Sequence, residues 1–140
     1  MPAADGAARM TAPRTLALGV GVFYTLLGVA GFGITGFESV PEHSGHQLLG
    51  VAVHPTHNLV HLVVGVSGLA LARRPFGVQA FGWLLLLGFG VSFVYGLVAT
   101  GESWDLLGLD WANNWVHLVS ALIGLGLTLV PPTTVPATSP

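Results

Sequence analysis

Two short stretches hold the polar residues that could do chemistry inside an otherwise apolar chain. They are His57-Asn58-Leu59-Val60-His61-Leu62 and Asn113-Asn114-Trp115-Val116-His117-Leu118. His57 and His61 stand at i, i+4, the spacing that turns two imidazoles toward one ion from a helix face. His117 is a third candidate ligand. Asp110 is a fourth, two turns before His117 on roughly the same face, with His54 nearby. This set, His57, His61, His117 and Asp110, reads as a divalent metal site.

A second chemistry is a b-type haem held by His61 and His117, since helical bundles hold haem between facing histidines. Gly65 and Ala121, one turn below, could admit the porphyrin; the same small residues could instead close the helices and leave no slot. The third reading is structural. An unpaired polar group in an apolar medium costs ~2–7 kcal/mol, so neutral histidines with Asn58, Asn113 and Asn114 would pair with one another or with the loops. Each such contact adds roughly 0.6 kcal/mol on average. A fourth reading is pH sensing by His43, His46, His54 and His57 beside Glu38 and Glu42, because imidazole changes charge near neutrality. The run HNLVH lacks the glutamate of H-E-x-x-H, which argues against a zinc hydrolase.

The elements that must position these residues follow from composition. Hydrophobic residues make up 52% of the 140-residue chain and charged residues 7%, too few to cover a surface in water. Four apolar runs of about the length needed to cross a bilayer predict spans over roughly 15–36, 55–72, 78–100 and 111–130. Pro55 suits the first position of the second helix. Arg73-Arg74-Pro75 closes that helix, and Pro131-Pro132 closes the fourth. The fold class is therefore an all-α integral membrane protein, with a four-helix domain over 14–130. The tails, 1–13 and the Pro/Thr-rich 131–140, read as disordered. The first span is expected to be an uncleaved helix, being longer than a signal h-region and lacking an A-x-A site after it.

All four arginines, Arg9, Arg14, Arg73 and Arg74, fall on one side of this arrangement. The bias predicts a multi-pass protein of the bacterial inner membrane with both termini cytoplasmic. Trp104, Trp111 and Trp115 cluster at the outer boundary, where interface anchoring explains them.

The second and fourth spans also repeat one pattern. Asn58-Leu59-Val60-His61-Leu62-Val63 matches Asn114-Trp115-Val116-His117-Leu118-Val119 at five of six positions, and Gly68-Leu69 matches Gly124-Leu125 in the same register. Upstream, Leu48-Leu49-Gly50 corresponds to Leu106-Leu107-Gly108. Gly19-x-Gly21-Val22 against Gly88-x-Gly90-Val91 links the first and third spans more weakly. The pattern implies two tandem helical hairpins related by a pseudo-two-fold along the membrane normal. Either spans two and four or spans one and three could line that axis. On span two, His57, His61, Gly65, Gly68 and Ala72 share a face. On span four, Asn113, His117, Ala121, Gly124 and Thr128 share the matching one.

With its HNLVHLxxGxxGL run in span two and its NNWVHL run in span four, the chain resembles, over about residues 14–130, a bacterial family of four-helix membrane proteins catalogued as domain of unknown function 4383. The resemblance implies the fold and no activity. Where the family pattern implies an Asp-Asn pair before the tryptophan, this chain has Asn113-Asn114, so position 113 carries no charge.

Several functions are argued against. There is no cysteine for a disulfide, thiolate site or thioether-bound haem. No P-loop, G-x-S-x-G elbow or G-x-G-x-x-G after a strand is present. No basic residue lies within a span, and no acidic chain crosses the bilayer, which argues against an anion path, a voltage sensor and an ion-coupled pump. The net charge of −2 leaves no footprint for nucleic acid. The expected partners are the bilayer and another membrane protein or a second copy. The leading expectation is a non-enzymatic accessory or interaction subunit with a structural His/Asn layer near the outer boundary. The alternative is a haem- or metal-binding membrane protein.

Overall fold

The computed structural model describes residues 11–37 and 45–131. The tails at 1–10 and 132–140, and with them Arg9, lie outside the described residues, as do Glu38, Glu42 and His43 of the proposed pH sensor. Four helices form: α1 (Ala12–Thr35), α2 (Pro55–Leu71), α3 (Gly77–Ala99) and α4 (Trp111–Thr128). Their limits differ from the expected spans by a few residues at most. One element was not expected: a minimal antiparallel hairpin of β1 (Gln47–Leu48) and β2 (Val51–Ala52), paired Gln47 to Ala52 and Leu48 to Val51. Its two turn residues, Leu49 and Gly50, have φ of 55° and 82°. That is the left-handed pair a two-residue hairpin requires.

Helix starts obey local chemistry. Pro13 sits in the first turn of α1 and Pro55 in that of α2, where a missing N–H is harmless. Asp110 caps α4, its Oδ1 accepting the Asn113 N–H at 2.7 Å. His54 caps α2 more loosely, with Nδ1 accepting from Thr56 N–H at 3.4 Å.

The helices associate as two pairs, α1 with α2 and α3 with α4, with smaller contacts of α3 on α2 and α1. Glycine makes each pairing possible by letting main chain touch main chain. A Cβ on Gly28 would lie 2.8 Å from both the Asn58 carbonyl oxygen and the Leu62 nitrogen, and one on Gly21 would lie 2.9 Å from the Leu69 nitrogen. On the other pair, a Cβ on Gly82 would lie 2.7 Å from the Thr128 nitrogen and 2.8 Å from the Gly124 oxygen. Between the pairs lies a core of Tyr24, Phe81, Leu85, Phe89 and Leu127, joined by Val20, Val64 and Ala121. The polar stripes expected on α2 and α4 face inward: His57, His61, Asn113 and His117 are all buried. The outward faces are apolar on every helix, with Leu26 on α1, Val63 on α2, Val91 on α3 and Leu122 on α4 each more than half exposed. Two helices, α1 and α3, are long and apolar enough to cross a membrane.

A buried three-histidine cluster

α2 and α4 both start at one end of the molecule, and their side chains meet there, which brings the two polar stretches together. His57, His61 and His117 retain 5%, 3% and 2% of their surface. Their ring centroids stand 5.4 Å apart for His57 and His61 and 5.6 Å apart for His57 and His117. One nitrogen from each of the three lies within 4.8 Å of the others. Around a tetrahedral zinc with ~2.0–2.1 Å bonds, ligand nitrogens stand about 3.4 Å apart, so side-chain adjustments of about 1 Å would close these three on an ion.

Aromatic rings wall the cluster. Tyr24 packs on His61 with centroids 5.2 Å apart, and Phe89 packs on His117 at 5.4 Å. Tyr24 and Phe89 stack on each other at 4.9 Å. The Tyr24 hydroxyl is hydrogen-bonded to Ser120 Oγ, which donates in turn to the Val116 carbonyl. Even so, His57 Nδ1, both nitrogens of His61 and His117 Nδ1 are buried with no protein partner. Nearly all buried polar atoms in folded proteins are paired, and each such orphan is costly. Four of them converge here.

The asparagines do a different job. Asn58 Nδ2 donates to Thr35 Oγ1 at 2.9 Å, and Asn114 Nδ2 donates to Thr100 Oγ1 at the same distance. Each amide lies on a glycine of the neighbouring helix, Asn58 on Gly31 and Asn114 on Gly96, where a Cβ would collide with it. Each therefore ties the start of one helix to the end of its hairpin partner. Asn113 reaches sideways, with Nδ2 donating to the Ala52 carbonyl at 3.2 Å.

Two site assignments change on the structure. Asp110 stands outside the histidine cluster: one carboxylate oxygen caps α4 and the other accepts the Ala52 N–H at 2.9 Å, holding β2 against the helix. The space that a porphyrin between His61 and His117 would take is occupied in this structure. Phe89 contacts both rings, His57 stands beside them, and Gly65 closes on Thr25 and Gly21. Of the two outcomes open for those small residues, close helix packing is the one observed. Four participants were missed: Thr35, Thr100, Tyr24 and Ser120. A signal for the first two was present, since a Thr-Gly pair ends both hairpins' first helices, at Thr35-Gly36 and Thr100-Gly101.

The family model described as Domain of unknown function (DUF4383) matches residues 14–130, and the chain belongs to that family. No curated protein and no solved structure matches it.

Proposed function

We propose that this DUF4383 protein is a four-span membrane protein that holds one transition-metal ion on His57, His61 and His117. The observation that carries the reading is that three buried imidazoles each bring one nitrogen within 4.8 Å of the others, in a cluster whose rings leave four nitrogens without a protein partner. The asparagine amide nitrogens are paired through Thr35 and Thr100, although Asn58 Oδ1 and Asn114 Oδ1 are themselves without a partner; what sets the histidines apart is that three of them meet at one point. Imidazole donors without carboxylate or carbonyl oxygen suit zinc, copper, nickel or ferrous iron and disfavour magnesium and calcium.

The membrane setting for all four helices is supported by their inverted surface. Polar side chains on α2 and α4 are interior, while Leu59, Val60, Val63 and Val66 of α2 and Trp115, Val119 and Leu122 of α4 are outside. Water would drive such faces together; lipid accepts them. The Asn–Thr–Gly contacts recur in both hairpins, which supports a tandem duplication with its pseudo-axis along the membrane normal. Equating Gly31 with Gly96 and Thr35 with Thr100 displaces the Gly19/Gly88 register by about one turn. Arg14, Arg73 and Arg74 lie at the end away from the histidines, which supports cytoplasmic termini and an inner-membrane location.

The test is metal analysis of protein purified in mild detergent from cells grown with zinc, copper, nickel and iron. The expected result is about one ion per chain, lost in His61→Ala and His117→Ala while both variants keep their helical circular dichroism. Folded wild type without stoichiometric metal overturns the proposal, and a Soret band would restore the haem reading instead.

A further inference from the structure

We infer that the three-histidine site exchanges its ion with one side of the membrane only, through a vestibule at the end of the bundle opposite the chain termini. The inference rests on the metal-binding reading above and adds the direction of access.

Three features of the fold carry it. First, a cavity of about 330 Å³ opens at that end and is lined by His46, His54, Asp105 and Asp110 among others. None of the three histidines lines it, but it lies at their end of the bundle. His54 caps α2 three residues before His57, and Asp110 caps α4 seven residues before His117. The two carboxylates are held in place by main-chain N–H groups, Asp105 by Leu107 and Leu109 and Asp110 by Asn113 and Ala52. A carboxylate oxygen has lone pairs beyond one such bond, and acidic clefts concentrate cations.

Second, the opposite direction is sealed. Beneath the histidines come the stacked Tyr24 and Phe89, then Phe81, Leu85 and Leu127, all buried. Glycine contacts close the seams on either side, Gly65 and Gly68 against Gly21 and Gly124 against Gly82 and Leu86. Among the described residues, no buried polar side chain lies between Ser120 and the far end of the bundle. That far end carries Arg14, Arg73 and Arg74, which repel a cation.

Third, the lateral route is apolar. A groove of about 1020 Å³ between α1 and α4 is lined by Leu16, Phe23, Val119 and Ile123 and reaches Tyr24. It offers lipid chains a surface and a bare ion almost no ligand. The site is thus a one-sided receptor for a metal ion, closed to passage across the bilayer.

The experiment uses the full-length, zinc-loaded protein in sealed phosphatidylcholine vesicles. The chain has no lysine, so a membrane-impermeant amine reagent reports the orientation of its N-terminus alone. External EDTA is added, and zinc remaining on protein is measured in the labelled and unlabelled populations. Molecules whose N-terminus is shielded inside the vesicle should lose their zinc, and those with an exposed N-terminus should keep it until detergent opens the lumen. Zinc lost from both populations, from the exposed-terminus population alone, or from neither overturns the inference while leaving the metal site intact. Protein that takes up no zinc in detergent removes the site itself and this inference with it.

Discussion

Adding one methyl group to α4 should weaken or spare the protein according to a shift of two residues. Gly124 lies in the α3–α4 seam, and a Cβ there would stand 2.5 Å from the Leu86 nitrogen, 2.7 Å from the Gly82 oxygen and 2.8 Å from the Leu85 Cβ. Two of these atoms are main chain, so no rotamer change relieves them, and α3 must move out by nearly 1 Å. Overpacking of this kind costs about 1–3 kcal/mol, and three simultaneous encroachments argue for the upper half of that range. Replacing glycine by alanine in a helix returns roughly 0.5–1 kcal/mol. The net loss for Gly124→Ala is therefore about 1–2 kcal/mol, or about 3–6 °C in Tm for a chain of this size. A Cβ on Gly126 meets nothing within 4 Å, so Gly126→Ala should match or slightly exceed the wild type. Thermal unfolding in one detergent, followed by circular dichroism, reads both variants. If Gly124→Ala melts with or above Gly126→Ala, α3 and α4 do not pack through this glycine, and the arrangement that delivers His117 to the cluster is wrong.

Two further outcomes follow from the polar contacts. Asn58→Ala and Asn114→Ala each break a buried amide–hydroxyl bond and should each destabilise by about 1–2 kcal/mol; because the two sites match, their losses in detergent unfolding should agree within roughly 0.5 kcal/mol, and a larger gap would argue against equivalent hairpins. Asp110→Ala should cost about 0.5–2 kcal/mol as a lost cap and speed hydrogen exchange at the Ala52 and Asn113 amides, while zinc stoichiometry is kept; loss of the metal with an intact fold would put Asp110 back among the ligands.

The sequence was most legible where polar atoms meet an apolar medium. Histidine and asparagine within oily runs have few places to go, so their burial and the inward faces of α2 and α4 could be read from spacing. The family assignment was readable from the same residues. Glycine spacing was a poorer guide. Gly19 and Gly88, the first glycines of the proposed α1/α3 match, both face open space, because a small-residue pattern records close approach without saying to what. The capping contacts of Asp110 went unread for a different reason. A carboxylate just before an apolar helix is a capping signal, and its distance from His117 along the helix drew attention from that nearer use. The β1–β2 hairpin has only two residues per strand, too few for any alternation to register.

The proposed duplication also explains why the site has three imidazoles. With Asn58 set on Asn114, His61 falls on His117, but His57 falls on Asn113. A strictly repeated chain would place ligands near the axis in even numbers. Here one copy keeps a histidine that orphans its Nδ1 in the cluster, and the other has an asparagine whose amide holds the Ala52 carbonyl of the hairpin. The neighbouring shell diverges in concert. With Thr35 set on Thr100, Tyr24 falls on Phe89; with Asn58 set on Asn114, Val64 falls on Ser120. The polar members of those two pairs, Tyr24 and Ser120, hydrogen-bond to each other, whereas Phe89 and Val64 both belong to the apolar core. A tyrosine introduced alone would have left its buried hydroxyl without this partner, whereas Ser120 has the Val116 carbonyl in any case, so the serine supports the tyrosine. The Asn–Thr–Gly ties that build each hairpin stay alike, and His57 is the imidazole with no counterpart in the other copy. In the proposed metal site that one asymmetric position supplies the third ligand, which a strict repeat of the His61/His117 pair would lack.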